Sequence, residues 1–380
     1  MCPIYPSRVH EVSRRRVLGG AGAAALLAAA VAADSAPRGD GTPGGDGTPG
    51  GDGTPGGDGT PGRPSGGHQA GIDTPPLPFL SIAAFDLLTR DRRDVVQLLQ
   101  RWTAAVAALA AGGPRQLTVT VGFGPSLFGD DRFGVLDRRP AALVPLPPFA
   151  GDALDPAQSD GDLCVQVCAG DPEAVHDAIR TVVNAARPYA RPRWRQVGFR
   201  PQDGTPDPRG MLGFRDGTAN ISTADDDAMA RHVWVRDGGS WLDGGTYLVV
   251  RRIRLLLDTW DRLDVPGQEA VVGRDRHTNE RLAAAPANAH ARLAAPLTSA
   301  EVVLRRSYAY DAGLDPNGLL DAGLVFICFQ RDPGQQFVPI QRRLAGRDAL
   351  NAFSQHTASA LFACPPAPVD GSWFGAGLFG

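Results

Sequence analysis

Four successive copies of Gly-Asp-Gly-Thr-Pro-Gly, from Gly39 to Gly62, constrain this chain more than any other feature. A six-residue period without an apolar side chain has nothing to bury, so it cannot stack into a solenoid and reads as a tether. Its aspartates lack the apolar position of calcium-binding repeats, and no chemistry is assigned to it. Any fold must therefore be built on one side of the repeat. Upstream, Ser13-Arg14-Arg15-Arg16-Val17-Leu18 opens an apolar run from Gly19 to Ala33 that ends in small residues. That is the layout of a signal peptide, and the run is too short for a membrane span. Consecutive arginines after a serine read as a twin-arginine export signal. The expected organisation is a signal over 1–33, a Gly/Asp/Thr/Pro linker over 34–76, and a folded body downstream.

Composition fits a globular body. Apolar residues make up 43% of the chain and charged residues 21%, which excludes wholesale disorder. All 38 basic residues are arginine, which reads as coding bias rather than function. A net charge of −3 excludes a basic nucleic-acid footprint. Five cysteines are too few for a disulfide scaffold. Cys164 and Cys168, four apart in an alternating stretch, share one face of a strand and read as buried thiols.

Hydrophobic periodicity organises the body. Phe79–Leu88 reads as a strand, Arg92–Ala111 as a helix, and Gln116–Phe123 and Asp162–Cys168 as strands. Asp171–Arg187, opened by Asp-Pro, reads as a helix, and Trp194–Phe199 as a strand. The order β-α-β-β-α-β is that of a ferredoxin-like unit. Farther on, Gly245–Arg251 and Leu319–Gln330 read as strands, and Ile253–Leu263, Phe337–Leu344 and Arg347–His356 as helices. The expected fold class is α+β, with two ferredoxin-like domains over 77–205 and 206–380. The long segment between residues 200 and 300 lies outside the pattern and is where a site is sought.

Gly213-Phe214-Arg215-Asp216-Gly217-Thr218-Ala219-Asn220 is the densest polar-glycine cluster in that segment. Glycines beside an acid let the backbone approach something bulky while the carboxylate faces it; a self-capped Asp-Gly-Thr turn would look the same. No two histidines have helical metal spacing, and neither HExxH nor CxxC occurs. His290, in Asn288-Ala289-His290-Ala291-Arg292-Leu293, stands alone. A lone histidine suffices for a haem iron, whose equatorial ligands come from the macrocycle. Arg305 and Arg306 lie in an apolar strand-like stretch, Val303–Tyr310, where cations are costly unless they meet anions; a surface salt bridge is the plain alternative.

These segments occur together and in order, with WLDGGTYLVVRRIRLLLDTWDRL and GLVFICFQRDPGQQFVPIQRRL between and after them. The set resembles the dye-decolourising peroxidases, in particular the exported branch that includes deferrochelatases, over residues 77–378. The resemblance implies a pair of ferredoxin-like domains with one haem b per chain in the C-terminal half. It implies His290 as the iron ligand and Asp216 as an acid that carries a proton between peroxide oxygens. Arg305 is implied as the arginine that stabilises developing charge, with Arg306 one residue away as the competing assignment. Gly213, Phe214, Arg215, Gly217, Thr218 and Arg306 would line the haem. The implied partners are hydrogen peroxide, an organic electron donor such as a dye or phenol, and the twin-arginine export machinery. The expected location is extracellular, periplasmic or in the cell envelope, and an oligomer is compatible with the sequence. The runner-up activity is release of iron from haem; a haem carrier or sensor without turnover is the alternative from another class. Trp241, Trp260, Tyr308, Tyr310 and Trp373 are candidate electron relays, although each fits a core aromatic better. Only fifteen residues separate Arg274 from His290, fewer than is usual in this family, which implies a changed pocket entrance.

Overall fold

The computed structural model describes residues 67–111, 116–202, 205, 208–369 and 371–380. The signal and the Gly-Asp repeat lie outside the described residues. The described residues belong to one compact unit. Packing begins earlier than the expected boundary at 77. Gln69 and Ile72 are buried, and the Gln69 amide donates to the carbonyls of Val121 and Pro365. His68 stacks flat on Trp234 with ring centroids 3.6 Å apart.

The first half runs β1 (Phe79–Leu87), α1 (Arg92–Ala111), β2 (Leu117–Phe123), β3 (Leu163–Ala169), α2 (Pro172–Ala186) and β4 (Ala190–Phe199). Helix α1 forms where apolar residues recur three and four apart, and it buries Val95, Leu98, Leu99 and Trp102. Helix α2 starts at Asp171, whose carboxylate accepts from the Ala174 N–H, with Pro172 in the first turn. Strand β3 is buried along its whole length. Its alternation sends Val165 and Val167 into the core shared with the helices. Cys164 and Cys168 point the other way, into a second core with Leu80, Leu248, Val250 and Phe362. Burial raises both thiol pKa values well away from reactivity.

The second half contributes α3 (Asp226–His232), β5 (Thr246–Leu255), α4 (Leu257–Trp260), α5 (Val265–Val272) and α6 (His290–Leu293). It continues with β6 (Leu304–Arg305), β7 (Tyr308–Leu314), β8 (Leu320–Gln330), α7 (Phe337–Arg347) and β9 (Ser354–Cys364). Sheet order is β5-β9-β2-β3-β1-β4-β7-β8-β6, and β5 also pairs with β8, which closes the ring. Within it, β4-β1-β3-β2 and β9-β5-β8-β7 repeat one antiparallel order, so the βαββαβ unit occurs twice. Single pairings, Phe123 with Ala363 and Phe199 with Ala309, join the halves at both edges. Among the described residues no helix is long and apolar enough to cross a membrane.

Two expected helices are not helices. Ile253 and Arg254 continue β5, paired with Leu324 and Gly323 of β8, and only Leu257–Trp260 turns helically. The apolar run there fits either period, and pairing on both sides decides it. Past Arg347 the chain makes a short turn at Ala349–Ala352 and then enters β9, which pairs with β5 along its length. The stretch expected as one strand, Val303–Tyr310, breaks at Arg306-Ser307 into β6 and the start of β7.

Arg251, 1% exposed, sits in the core of this half. Its guanidinium is ion-paired to Asp152, donates to Ser359 Oγ at 3.2 Å and lies over the Phe149 ring. Burial is the main influence on Arg251 and lowers its pKa; Asp152 opposes that shift. Asp152→Ala should therefore destabilise the fold by about 3–5 kcal/mol, because it strands a buried charge. Adding Arg251→Met should recover much of the loss. Denaturant unfolding of the two variants checks both statements.

Candidate functional site

The glycine-rich segment folds into a tight hairpin. Gly210 N–H donates to the Phe214 carbonyl, Gly213 N–H to Gly210, and Asp216 N–H to Pro208. Gly213 has φ +83, and a Cβ there would lie 2.5 Å from the Arg276 guanidinium, so only glycine fits. Arg209 ties the hairpin to the next loop by donating to the carbonyls of Gly213, Arg276 and His277. Phe214 is buried against Trp260, edge to face at 6.2 Å, in a small cluster that includes Val272, Leu350 and Phe353. Arg215 bridges back to Arg209 in the same hairpin.

Downstream in the loop, the Thr218 carbonyl accepts from Arg305 Nη2 at 2.9 Å. The Asn220 amide meets the Arg305 backbone. Arg305 Nε is buried and makes no hydrogen bond, and the guanidinium forms no ion pair among the described residues. Asp216, two residues before Thr218, is half-buried, and it forms no ion pair with Arg305 among the described residues.

Arg306 does not join this group. Its guanidinium, 4% exposed as a residue, donates to the carbonyls of Ile72 and Thr74 at 3.1 and 2.6 Å. Adjacent side chains on extended backbone leave on opposite sides, and Arg306 leaves towards the inter-sheet core. Its expected place beside haem is corrected: it anchors the chain entering β1.

His290 opens α6, and its Nδ1 lies 2.6 Å from Asp348 Oδ2. The other Asp348 oxygen accepts from Leu350 N–H at 2.9 Å, which fixes the carboxylate's orientation. The side chain of Asp348 is 3% exposed and that of His290 is 36% exposed. A buried carboxylate facing Nδ1 selects the tautomer with hydrogen there and leaves the Nε2 lone pair for a metal. Sequence reasoning missed Asp348, since 58 residues separate the pair and no local spacing signals it.

The two ends of the site are linked through Gly273-Arg274. A Cβ on Gly273 would meet Ala289 Cβ at 2.9 Å, so the segment packs directly beside His290. Burial lowers the pKa of the Arg274 guanidinium, and the nearby Arg281 and Arg305 cations lower it further. None of these three arginines forms an ion pair among the described residues. An imidazole with a free, oriented nitrogen beside uncompensated guanidiniums is a donor set that fits a haem iron and its carboxylate side chains. Arg305 Nε adds a buried donor without a partner among the described residues. Of the candidate relays, Trp241, Trp260, Tyr308 and Tyr310 are buried core residues and Trp373 is half-buried.

Comparison with known proteins finds relatives along most of the chain. Family models described as Dyp-type peroxidase, N-terminal and Dyp-type peroxidase, C-terminal match residues 69–200 and 207–369. A dye-decolorizing peroxidase of Thermobifida fusca (strain YX) is 37% identical over 361 residues, 82% of this chain and 83% of that protein. A deferrochelatase of Escherichia coli (strain K12) is 32% identical over 365 residues, 82% of this chain and 86% of that protein. The crystal structure of a DyP-type peroxidase from Cellulomonas bogoriensis, 39% identical, aligns with TM-score 0.79 over 85% of this chain and 99% of that one.

Proposed function

This chain belongs to the Dyp-type peroxidase family and is a haem b peroxidase, and we propose that His290, Arg305 and Asp216 carry its chemistry after export by the twin-arginine route. When bound, haem supplies an iron that takes up the oxidising equivalents of hydrogen peroxide and passes them to a donor one electron at a time. His290 offers Nε2 as the iron ligand, with Nδ1–H held by Asp348 so that the ring cannot turn away. Arg274 and Arg281 would hold the carboxylates of the group.

On the peroxide side, Arg305 is paired with no carboxylate among the described residues, so its charge would be available to a peroxide anion and to the oxygen that becomes negative as the O–O bond breaks. A carboxylate oxygen of Asp216 takes the proton from one peroxide oxygen and returns it to the other, which leaves as water. The single observation that carries this reading is the half-buried Arg305 beside the Asp216 loop, its Nε buried without a partner and its guanidinium in no ion pair among the described residues. A haem carrier needs neither group. Donor oxidation by the purified haem-loaded protein tests it: turnover should need hydrogen peroxide and saturate with it, and donor-independent haem transfer without turnover would refute it.

Export rests on Ser13-Arg14-Arg15-Arg16-Val17-Leu18 and supports an extracellular, periplasmic or cell-envelope location. Arg14→Lys with Arg15→Lys should leave unprocessed precursor inside the cell. Normal secretion of the double variant, followed by immunoblot of cell and medium fractions, would instead mean the ordinary unfolded-chain route.

A further inference from the structure

Strand β6 is only two residues long, and it has a strand neighbour on one side alone. There Leu304 pairs with Phe329 and Arg305 with Cys328 of β8. On the other side stands a single side chain. Asn220 Oδ1 accepts from the Arg305 N–H at 2.8 Å, and Asn220 Nδ2 donates to the Arg305 carbonyl at 2.8 Å. Paired bonds to both polar groups of one residue are what a hydrogen-bonded antiparallel partner makes. One planar amide thus stands in for a strand. Asparagine suits this because it offers a donor and an acceptor on one short, rigid group. Aspartate lacks the donor, and a hydroxyl can satisfy both backbone groups only with poor geometry.

The loop is shaped to deliver that amide. Gly217 has φ +108 and Ala219 φ +59, and the Asn220 N–H closes a turn onto the Gly217 carbonyl at 3.0 Å. A non-glycine residue in the left-handed region is costly and is kept only where the surroundings require it. The turn brings Thr218 and Asn220 to the same partner, Thr218 through its carbonyl to the guanidinium and Asn220 to the backbone. Asp216 precedes them in the same loop. Among the described residues the Arg305 guanidinium makes one bond, to Thr218, so its place depends on where its own backbone is held.

We propose that Asn220 is the positioning residue of the peroxide-handling pair: it locks the Arg305 backbone to the loop that carries Asp216 and so fixes the spacing of guanidinium and carboxylate. The proposal rests on the reading that these two groups handle peroxide. Both polar atoms of the Asn220 amide are spent on the Arg305 backbone, so it acts through Arg305, and its effect on the reaction must vanish when the guanidinium is gone.

The test is a double-mutant cycle on the full, haem-loaded chain, reading the stopped-flow rate of the peroxide reaction together with haem content. Asn220→Ala should slow the reaction roughly tenfold at unchanged haem content, since a displaced catalytic group loses rate steeply with distance. In an Arg305→Leu background the same change should cost less than about twofold, because coupled residues are not additive. A wild-type rate for Asn220→Ala, or an equal loss in both backgrounds, would overturn the proposal. If Asn220→Ala loses haem, Asn220→Asp, which keeps the acceptor for the Arg305 N–H, carries the same comparison. Wild-type reactivity of Arg305→Leu alone would remove the peroxide reading, and this proposal with it.

Discussion

His290→Ala should yield protein that folds but carries little or no haem. For this histidine the structure prepares a partner: Asp348 holds Nδ1 at 2.6 Å with one oxygen while its other oxygen is tied to Leu350 N–H. Among the described residues no group of three or more metal-ligating side chains exists to take over. The loss should be in haem and not in folding, because His290 is only partly buried and the cores on both faces of the sheet do not include it. Asp348→Asn should act in the same direction and less severely, since an amide still accepts from Nδ1–H but without charge; outer-shell partners of this kind cost about 10–100-fold in affinity. Haem titration of apoprotein, with circular dichroism as the folding control, separates the two effects. An unchanged Soret band in His290→Ala would remove the ligand assignment.

The second large effect is at Arg305. Arg305→Leu removes a half-buried cation that no carboxylate neutralises among the described residues, and should lower kcat/KM for peroxide about a hundredfold, close to 3 kcal/mol. Asp216→Asn keeps the shape of the side chain and removes its ability to accept and return a proton, so it too should slow the reaction. The larger loss is expected for Arg305, because a water in the pocket can carry a proton and cannot replace a fixed charge. Arg306→Leu provides the contrast. Its guanidinium is spent on the carbonyls of Ile72 and Thr74, so the variant should lose stability and keep its peroxide rate once folded. Steady-state turnover across peroxide concentration, with unfolding curves for all three variants, decides between the two arginines.

The two halves of the fold were not equally open to reading. Helix α1 was placed residue for residue at Arg92–Ala111, because its buried side chains follow helical spacing and strands of clean alternation flank it. The second half is assembled from distant pairings that leave weak local marks. Strand β9 carries Thr357, Ala358, Ser359 and Ala360, whose alternation is between small residues of little apolar contrast, and its place is set by β5 about a hundred residues away. At the site, a resemblance named His290, Asp216 and Arg305, but the choice between Arg305 and Arg306 depends on which side of the chain each leaves. That phase is set by pairing of β6 with β8 and by the Asn220 amide, neither of which has a signature in composition. Asp348 was out of reach for a similar reason. It ends α7 and turns the chain, and an aspartate at a helix end reads as a cap.

The central claim is that this chain holds haem through His290 and uses Arg305 and Asp216 on peroxide. The most direct test is the visible spectrum of the purified, haem-loaded protein before and after one equivalent of hydrogen peroxide, recorded by stopped flow. A Soret band corresponding to one haem per chain should shift promptly on mixing and return when a phenolic or dye donor is added. The shift should be much slower in both Arg305→Leu and Asp216→Asn. A band that does not respond to peroxide, or both variants responding at the wild-type rate, would contradict the account.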